Sequence, residues 1–363
     1  MPDALATALG SVATWAGCEV GHTVLKGGLS HFIARVDAAT GERWVLRILD
    51  PRISDTGLGI PLEQEIVNTV RAAEAGVGAR VLCELPGALL LEYIDGRTLD
   101  AEAVRDPALA PAIAAACRTL HRGPRFVNDF SIFRKLDELL ALCRRHDLRL
   151  PAGYTDWLPV VAEIEAALAA RPAPAVPCHN DLLAENFLLV DGRVRIIDYQ
   201  LSGNNDPGFE LGDIAAEADY DPDQVDRLVR AYLDDPAPVP GDVDLGEFTA
   251  RVRLYLIMSN YTWTLWFAIH HGLVRKTAGP AAAPPVPGVD GEGGTGLDAH
   301  AGAGPEFDYE AEAADKFAQA VRDLNAPDFG RLIDAVRGHH PPVTRKEALG
   351  WPSQTPPTRM PDD

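Results

Sequence analysis

The stretch "CHNDLLAENFLLVDGRVRIIDYQ", residues 178–200, contains two apolar runs that the dipeptide Asp-Gly at 191–192 separates. Asp-Gly between apolar runs is a strong local signal for a tight β-hairpin. Counting back from that turn, strand pairing places Asn186 opposite Ile197, with Asp198 next along the chain. A one-residue bulge would instead place Asn186 directly opposite Asp198. Either register brings Asn186 and Asp198 together at the open end of the hairpin.

Three oxygen-bearing side chains stand at fixed offsets around this hairpin, namely Asp181, Asn186 and Asp198. An amide oxygen beside a carboxylate offers the hard ligands that Mg²⁺ with bound phosphates prefers. The spacing is that of a kinase catalytic loop followed by its metal-binding aspartate. It predicts Asp181 as the base that accepts a hydroxyl proton, and Asn186 with Asp198 as metal ligands. In the competing interpretation Asp181 and Asn186 are turn and cap residues and Asp198 only ends a strand, which are frequent roles of Asp and Asn.

The charge balance disfavours several classes of partner. The chain of 363 residues carries 33 basic and 53 acidic residues, a formal net charge of -20, which opposes binding to nucleic acid or anionic lipid. Its five cysteines are scattered and form no C-x-x-C pair, so neither a disulfide framework nor a zinc site is predicted. The N-terminus lacks the basic region of a signal peptide, and no run of about 18 apolar residues occurs. We therefore expect a cytoplasmic protein that acts on a small molecule, without a nucleic-acid or membrane partner.

The composition of the chain changes near Asp95. Before it, residues 20–50 have the pattern of strands and turns, a helical pattern follows, and a hairpin ends near Tyr93. After it, Ala-rich and Leu-rich helices predominate, interrupted by an Ala/Pro/Gly-rich insertion and followed by a Pro-rich tail, both expected to lack order. The predicted units are an N-terminal nucleotide-binding lobe (1–94), a C-terminal catalytic and acceptor-binding lobe (95–345), the insertion within it (about 277–306) and the tail (346–363).

Five motifs, in chain order, resemble those of the bacterial choline kinase and aminoglycoside phosphotransferase superfamily. They are "GGLSHFIARV", "LLEYIDGRTL", "LHRGPRFVNDF", "CHNDLLAENFL" and "IIDYQLSGNNDPGFELGDIAAE". The resemblance spans about residues 20–340, apart from the insertion. It implies an α+β, two-lobed, protein-kinase-like fold with a small antiparallel sheet in the N-terminal lobe. It also implies ATP and Mg²⁺, and transfer of the γ-phosphoryl group to a hydroxyl of a small molecule.

The resemblance implies where the nucleotide binds. Gly27, Gly28 and Ser30 match the turn that covers the phosphates, where missing side chains let the backbone approach. His31 replaces the asparagine usual in that turn, which puts the nucleotide affinity in question. Backbone groups from Glu92 to Ile94 match the hinge that meets the adenine.

Arg47 stands where kinases place a strand lysine that contacts phosphates. Arginine at this position resembles the choline kinase branch of the superfamily. Glu65, on the following helix, is the predicted ion-pair partner of Arg47, with Glu63 as its rival. The alternative is that Arg47 is a surface residue of an edge strand.

Trp263 and Trp266 lie three positions apart, so on a helix both indoles project from one face. The resemblance implies an aromatic pair that walls a quaternary ammonium, and an indole face attracts a cation by about 0.5 to 2 kcal/mol. The alternative is that both are core residues, which is common for Trp in an apolar helix. Tyr199 and Gln200 are further substrate-binding candidates. Gln200 stands where the choline kinase pattern has a glutamate, which weakens the case for choline and leaves a less basic or neutral alcohol open.

Four polar residues are assigned to the surroundings of the catalytic loop. We expect His179 to brace the loop through its ring nitrogens, with proton transfer as the alternative. The resemblance implies that Asp206 braces the loop, whereas Glu210 and Asp213 are expected to cap the next helix. Alternatively, one of these acids faces the acceptor cation.

The sequence therefore predicts an ATP-dependent kinase of choline or a related amino alcohol. One alternative is phosphorylation of an aminoglycoside or another polar amine, which needs several carboxylates at the acceptor site. The other is a catalytically silent binding protein on a kinase scaffold. The intact set of Asp181, Asn186 and Asp198 opposes the silent protein.

Overall fold

The computed structural model describes most of both predicted lobes. The described residues are 2–25, 31–50, 54, 57–234, 244–274 and 308–338. The insertion at about 277–306 and the tail 346–363 lie outside them, as do Gly27, Gly28 and Ser30 of the predicted phosphate turn.

The N-terminal part is built on one antiparallel sheet. Its strands are β1 (Val20–Val24), β2 (Phe32–Ala38), β3 (Arg43–Ile48), β4 (Val81–Leu85) and β5 (Ala88–Glu92). They pair in the order β1-β2-β3-β5-β4. Alternate side chains of β2, among them Val36 and Ala38, are buried on one face, where Ala8 and Val12 of helix α1 (Pro2–Ala16) cover them. Helix α2 (Leu62–Glu74) lies between β3 and β4 in the chain.

The remainder is mainly helical. The helices are α3 (Ala101–Arg105), α4 (Ala110–His121), α5 (Ile132–Arg145), α6 (Leu158–Ala170), α7 (Pro207–Glu217), α8 (Pro222–Leu233), α9 (Leu245–Ile269), α10 (Tyr309–Leu324) and α11 (Phe329–Arg337). The short strands are β6 (Arg97–Thr98), β7 (Val176–Cys178), β8 (Phe187–Val190), β9 (Arg193–Ile196) and β10 (Gly203–Asn205). Strands β6, β8 and β9 form one small sheet, and β7 pairs with β10. These elements confirm the predicted α+β fold, with an antiparallel sheet followed by a helical part.

Aspartates mark where several of these helices begin. Asp206, Asp221 and Asp244 each accept a hydrogen bond from a backbone N–H of the first turn of α7, α8 and α9. At α8 the arrangement is reciprocal, because the side chain of Gln224 accepts from the backbone of Asp221. Such caps satisfy N–H groups that have no partner within the helix.

Helix α9 runs through the core of the helical part, and its side chains from Val252 to Ile269 are almost all buried. Helix α7 crosses it at very close range at Gly212. A Cβ atom at this position would lie 2.7 Å from the carbonyl oxygen of Val252 and 2.8 Å from Cβ of Tyr255. Only glycine permits this approach, so the packing fixes α7 against α9.

Two global expectations concern cysteine and the membrane. All five cysteines are free thiols, as their spacing predicts. Among the helices described above, none combines the length and the apolar character that crossing a bilayer requires.

Candidate active site

The hairpin of β8 and β9 adopts the unbulged register that its sequence predicts. Asp191 and Gly192 have φ angles of 49° and 76°, which are the two left-handed residues of a type I′ turn. At the other end, the backbone N–H of Ile197 donates to the carbonyl oxygen of Asn186 at 3.0 Å. Asn186 and Asp198 therefore occupy neighbouring places at the open end of the hairpin.

The two predicted metal ligands have the chemistry of a Mg²⁺ site. The amide nitrogen of Asn186 donates to the backbone carbonyl of Asp181 at 2.8 Å, which directs its amide group and leaves the oxygen for another partner. Burial is the largest single effect and would raise the pKa of Asp198, but the charge of Arg47, the charge of His31 and the hydrogen bond from Arg47 together outweigh it, so the pKa lies below its usual value. Asp198 is thus ionised at neutral pH. An ionised carboxylate beside an amide oxygen fits Mg²⁺.

Asp198 also has an unusual backbone conformation. Its φ of 70° and that of Asn180, 66°, lie in the left-handed region. Non-glycine residues rarely adopt this region, although Asp and Asn tolerate it best. Such residues cluster at functional sites, and here they frame the loop that carries Asp181.

Arg47 lies inside the protein, not on a surface edge. A single guanidinium nitrogen, Nη2, lies 2.9 Å from Oε1 of Glu65 and 2.6 Å from Oδ1 of Asp198. The predicted partner Glu65 is thus the residue in contact, whereas the rival Glu63 is exposed. His31 completes the group, because its Nε2 lies 3.4 Å from Oε2 of Glu65 and its Nδ1 accepts from the backbone N–H of Asp50. His31 therefore holds Glu65 in place. The sequence analysis did not predict this role, because it considered His31 only as a replacement for the asparagine of the phosphate turn.

The hinge needs one correction. The backbone N–H of Glu92 donates to the carbonyl of Arg80 at 2.9 Å, so this N–H is already engaged. The Glu92 carboxylate accepts from the backbone of Arg80 as well, at 3.1 Å. The N–H of Glu92 is therefore excluded as an adenine contact, whereas its carbonyl oxygen and the backbone groups up to Ile94 keep their predicted role.

His179 holds the catalytic loop together, as the bracing interpretation predicts. Its Nε2–H donates to the carbonyl of Ile197 at 2.8 Å, and its Nδ1 accepts from the backbone N–H of Asp181 at 3.3 Å. These bonds require the neutral ring with its hydrogen on Nε2, and burial lowers the pKa of His179. One side chain thereby links the loop around Asp181 to the strand that leads into Asp198.

The predicted roles of Asp206 and Glu210 were wrong. Asp206 caps α7 and forms an ion pair with Arg251 at 2.6 Å. Glu210 braces the loop instead, because its two oxygens accept the backbone N–H groups of His179 and Asn180, each at 2.8 Å. Asp206 precedes α7 and sits at its start, whereas Glu210 lies one turn inside and faces the loop.

Asp213 is a second brace and a link to the predicted acceptor side. Its Oδ2 accepts the backbone N–H of Leu182 at 2.7 Å, immediately after Asp181. Its Oδ1 accepts from the hydroxyl of Ser259 at 2.7 Å and from the indole N–H of Trp263 at 3.1 Å. Asp213 therefore does not cap a helix as expected, and it connects Trp263 directly to the catalytic loop.

Buried negative charge surrounds Asp181. Burial, followed by the charges of Asp213 and Glu217, raises the pKa of Asp181 well above its ordinary value. Burial and Glu217 also raise the pKa of Asp213 to about 7, although its three hydrogen bonds act in the opposite direction. A buried cation, Lys316 of α10, acts on Asp181 against these acids.

Sequence reasoning missed Glu217 and Lys316. Nζ of Lys316 lies 2.9 Å from Oε1 of Glu217 and 3.4 Å from the carbonyl oxygen of Ala216; Lys316 is buried and Glu217 is partly buried. Glu217 follows Asp213 by four positions on α7, so helical spacing was a signal that both face one way. The signal for Lys316 was a lone charge on an otherwise apolar stripe of α10.

All four substrate-binding candidates are buried, the two indoles on α9 and the other two behind the catalytic loop. Trp263 reaches Asp213, and Trp266 lies one turn further along α9, stacked on His270 with a centroid distance of 5.1 Å. Tyr199 is fully buried, with its ring edge-on to His179 and its hydroxyl donating to the carbonyl of Ile196. It packs behind the catalytic loop and offers no surface to an acceptor, which corrects its assignment. Gln200 is also buried, and its backbone carbonyl oxygen accepts a hydrogen bond from the backbone N–H of Ile60.

Known proteins resemble the chain over most of its length. The family profile described as choline/ethanolamine kinase matches residues 23–321. Protein LicA of Haemophilus influenzae is 29% identical over 247 residues, which are 64% of this chain and 88% of LicA. Ethanolamine kinase 2 of Rattus norvegicus is 29% identical over 241 residues, 60% of this chain and 61% of that protein. A crystal structure of a choline/ethanolamine kinase family protein from Mesorhizobium loti superposes with a TM-score of 0.71 and is 30% identical in sequence. The match covers 92% of this chain and 99% of the Mesorhizobium loti chain.

Proposed function

The chain belongs to the choline/ethanolamine kinase family, and from this premise we propose that it phosphorylates the hydroxyl group of an amino alcohol of the choline type. It is an ATP-dependent small-molecule kinase that uses Mg²⁺. One observation carries the assignment of the site: the loop with Asp181 joins the Asn186–Asp198 end of the hairpin to Asp213, which accepts a hydrogen bond from Trp263.

In the proposed reaction Asp181 accepts the proton of the acceptor hydroxyl. The hydroxyl oxygen then forms its bond to the γ-phosphorus while the bond to the β,γ-bridging oxygen breaks, so that ADP leaves. Asn186 and Asp198 would hold Mg²⁺, which supplies positive charge for the phosphate oxygens. Arg47, held by Glu65, is placed to add a second positive charge on the nucleotide side. Glu210 and His179 keep the loop in position, which matters because small displacements of a reacting group cost large factors in rate.

The charge of the acceptor side supports a cationic substrate. Asp213 and Glu217 lie near Asp181, and Lys316 offsets only part of their negative charge. A bound ammonium group would lower the electrostatic energy of this cluster, because buried like charges repel each other strongly. Trp263 adds an aromatic ring next to Asp213.

The same carboxylates support a second candidate, an aminoglycoside or another polar amine. That class of acceptor requires several acids at its site, and Asp213 with Glu217 meets this requirement in part. The two candidates differ in the importance of the indole. Replacing Trp263 by Ala should raise the KM for an amino alcohol strongly and that for an aminoglycoside little.

Phosphorus NMR of the full chain with Mg-ATP tests the proposal. The panel contains choline, ethanolamine, other amino alcohols and aminoglycosides, and we expect a phosphomonoester signal with an amino alcohol. Asp181→Asn should remove this signal, with a loss of at least ~100-fold in kcat, while ATP still binds. ATP hydrolysis without product, or an aminoglycoside product alone, would reject the amino alcohol. Equal loss of turnover and ATP binding in the variant would make Asp181 a structural residue.

A further inference from the structure

The side chain of Asn260 in α9 is fully buried, yet neither its amide nitrogen nor its oxygen has a hydrogen-bond partner within the described ranges. Buried amides are normally paired, because an unmade hydrogen bond is not replaced by water there. Other buried side chains, among them Thr262, also lack such a partner, so the position of Asn260 beside the predicted acceptor side is what singles it out. Asn260 is therefore a candidate contact for a molecule that enters the site.

The packing of α9 against α10 shows what lies beside Asn260. The rings of Phe267 and Tyr309 are 6.3 Å apart, and so are those of Tyr261 and Phe317. Positions on α10 rise as those on α9 fall, so the helices are antiparallel. Two turns of helix span about seven residues, so Asn260 shares the side of Phe267 and faces α10. Counting the same two turns from Tyr309 along α10 reaches Lys316.

Lys316 belongs to the acceptor side of the active site. Its ammonium contacts Glu217, and both charges act on Asp181. On α9, Ser259 lies one position before Asn260 and Trp263 lies three positions after it, and both donate hydrogen bonds to Asp213. Asn260 thus lies in the wall between α9 and α10, level with the charged pair that faces the catalytic base.

We propose that Asn260 is a specificity-determining residue that accepts a hydrogen bond from an N–H group of the acceptor. This inference rests on the proposed function and narrows it to amino alcohols with a primary or secondary amine. A quaternary ammonium has no N–H group and would leave the buried amide unpaired. A site built to pair with an N–H group rejects an analogue that lacks it far more strongly than apolar contacts can.

The test compares kcat/KM for ethanolamine and for choline in the wild-type chain and in Asn260→Leu, which replaces the amide by an apolar group of similar size. Thr262→Val is the matched control, because Thr262 is also buried and unpaired but projects from a different side of α9. We expect the wild type to favour ethanolamine by at least ~10-fold. Asn260→Leu should lose most of this preference because kcat/KM falls for ethanolamine and not for choline. The KM for ATP should stay unchanged, and the melting temperature should be equal or higher. Thr262→Val should keep the preference.

The outcomes separate the inference from the function on which it rests. Equal use of both alcohols by the wild type, or an unchanged ratio in Asn260→Leu, would overturn the inference and leave the kinase assignment intact. A lower melting temperature with equal loss for both alcohols would make Asn260 a structural residue. If Asn260→Leu does not fold, Asn260→Ala is judged by the same ratio. A wild type that phosphorylates no amino alcohol would reject the proposed function, and this inference with it.

Discussion

Arg47 of β3 and Asp198 of the catalytic hairpin are joined by a 2.6 Å contact across 151 positions of the chain. The same nitrogen of Arg47 contacts Glu65 of α2, so one guanidinium bridges two acids from different elements. Burial lowers the pKa of Arg47, but the charges of Asp198 and Glu65 more than reverse this effect. The sheet that would hold the nucleotide is thereby tied electrostatically to the proposed metal ligand.

Replacing Arg47 by Met should weaken both the fold and nucleotide use. Glu65 would lose its main counter-charge in the interior, which costs about 3 to 5 kcal/mol for a broken buried pair. We expect the KM for ATP to rise at least ~10-fold, with a small change for the acceptor. Denaturant unfolding and steady-state kinetics measure the two effects. Arg35→Met, which removes a partly exposed pair with Asp37 in the same sheet, should cost under about 1 kcal/mol and leave ATP use unchanged.

Replacing Glu210 by Gln should loosen the catalytic loop. Both oxygens of Glu210 accept backbone N–H groups, and an amide nitrogen in place of one oxygen cannot accept. The stability should fall by about 2 to 3 kcal/mol and kcat by at least ~10-fold, because Asp181 loses its fixed position. Glu165→Gln makes the same change on the exposed side of α6 and serves as control. A normal kcat in a destabilised Glu210→Gln would contradict the positioning role.

Asp181 and Asp213, the two acids with raised pKa values, predict opposite trends of activity and stability with pH. The pKa of Asp213 is raised to about 7, so Asp213 gains a proton as the pH falls through that value, and burial with the nearby acids also raises the pKa of Asp181. We expect kcat/KM for the acceptor to decline as the pH drops below about 7. Between the ordinary pKa of an aspartate and about 7, Asp213 is protonated in the folded chain but ionised in the unfolded chain. The contribution of this group to stability should therefore fall as the pH rises toward about 7.

Trp263→Phe should separate the ring of Trp263 from its N–H group. The variant keeps an aromatic surface but loses the hydrogen bond to Asp213, which favours the ionised carboxylate. We expect the acid side of the pH profile of kcat/KM to move to higher pH, while the KM for an amino alcohol at high pH changes less than ~3-fold. Trp266→Phe is the control, since Trp266 stacks on His270 and has no such bond to Asp213. An unshifted profile in Trp263→Phe would show that this bond does not matter for Asp213.

Local patterns predicted the catalytic hairpin well. The Asp-Gly turn and the two-residue period of strands fix which residues pair, so the neighbouring places of Asn186 and Asp198 followed from the sequence. The pairing of Arg47 with Glu65 did not come from a local pattern: the resemblance to kinases implied it, with Glu63 left as a rival, and the 2.9 Å contact selects Glu65. The acceptor side did not follow from a local pattern either, because Glu217 and Lys316 meet through the packing of α7 and α10, about one hundred positions apart. Local patterns also cannot tell a capping aspartate from a bracing glutamate one turn later, which explains the exchange of Asp206 and Glu210.

Because glycine has no side chain, α7 and α9 are in close contact at Gly212, and this contact limits how the specificity for the acceptor can change. Helix α7 carries the acids that support the loop, and α9 carries the tryptophans, so with no gap at their crossing the two helices must shift together. A shift of α9 that makes room for a larger acceptor would then disturb the catalytic loop as well. Adaptation to bulkier alcohols is easier through α10, which carries Lys316 beside Glu217 and takes no part in that crossing.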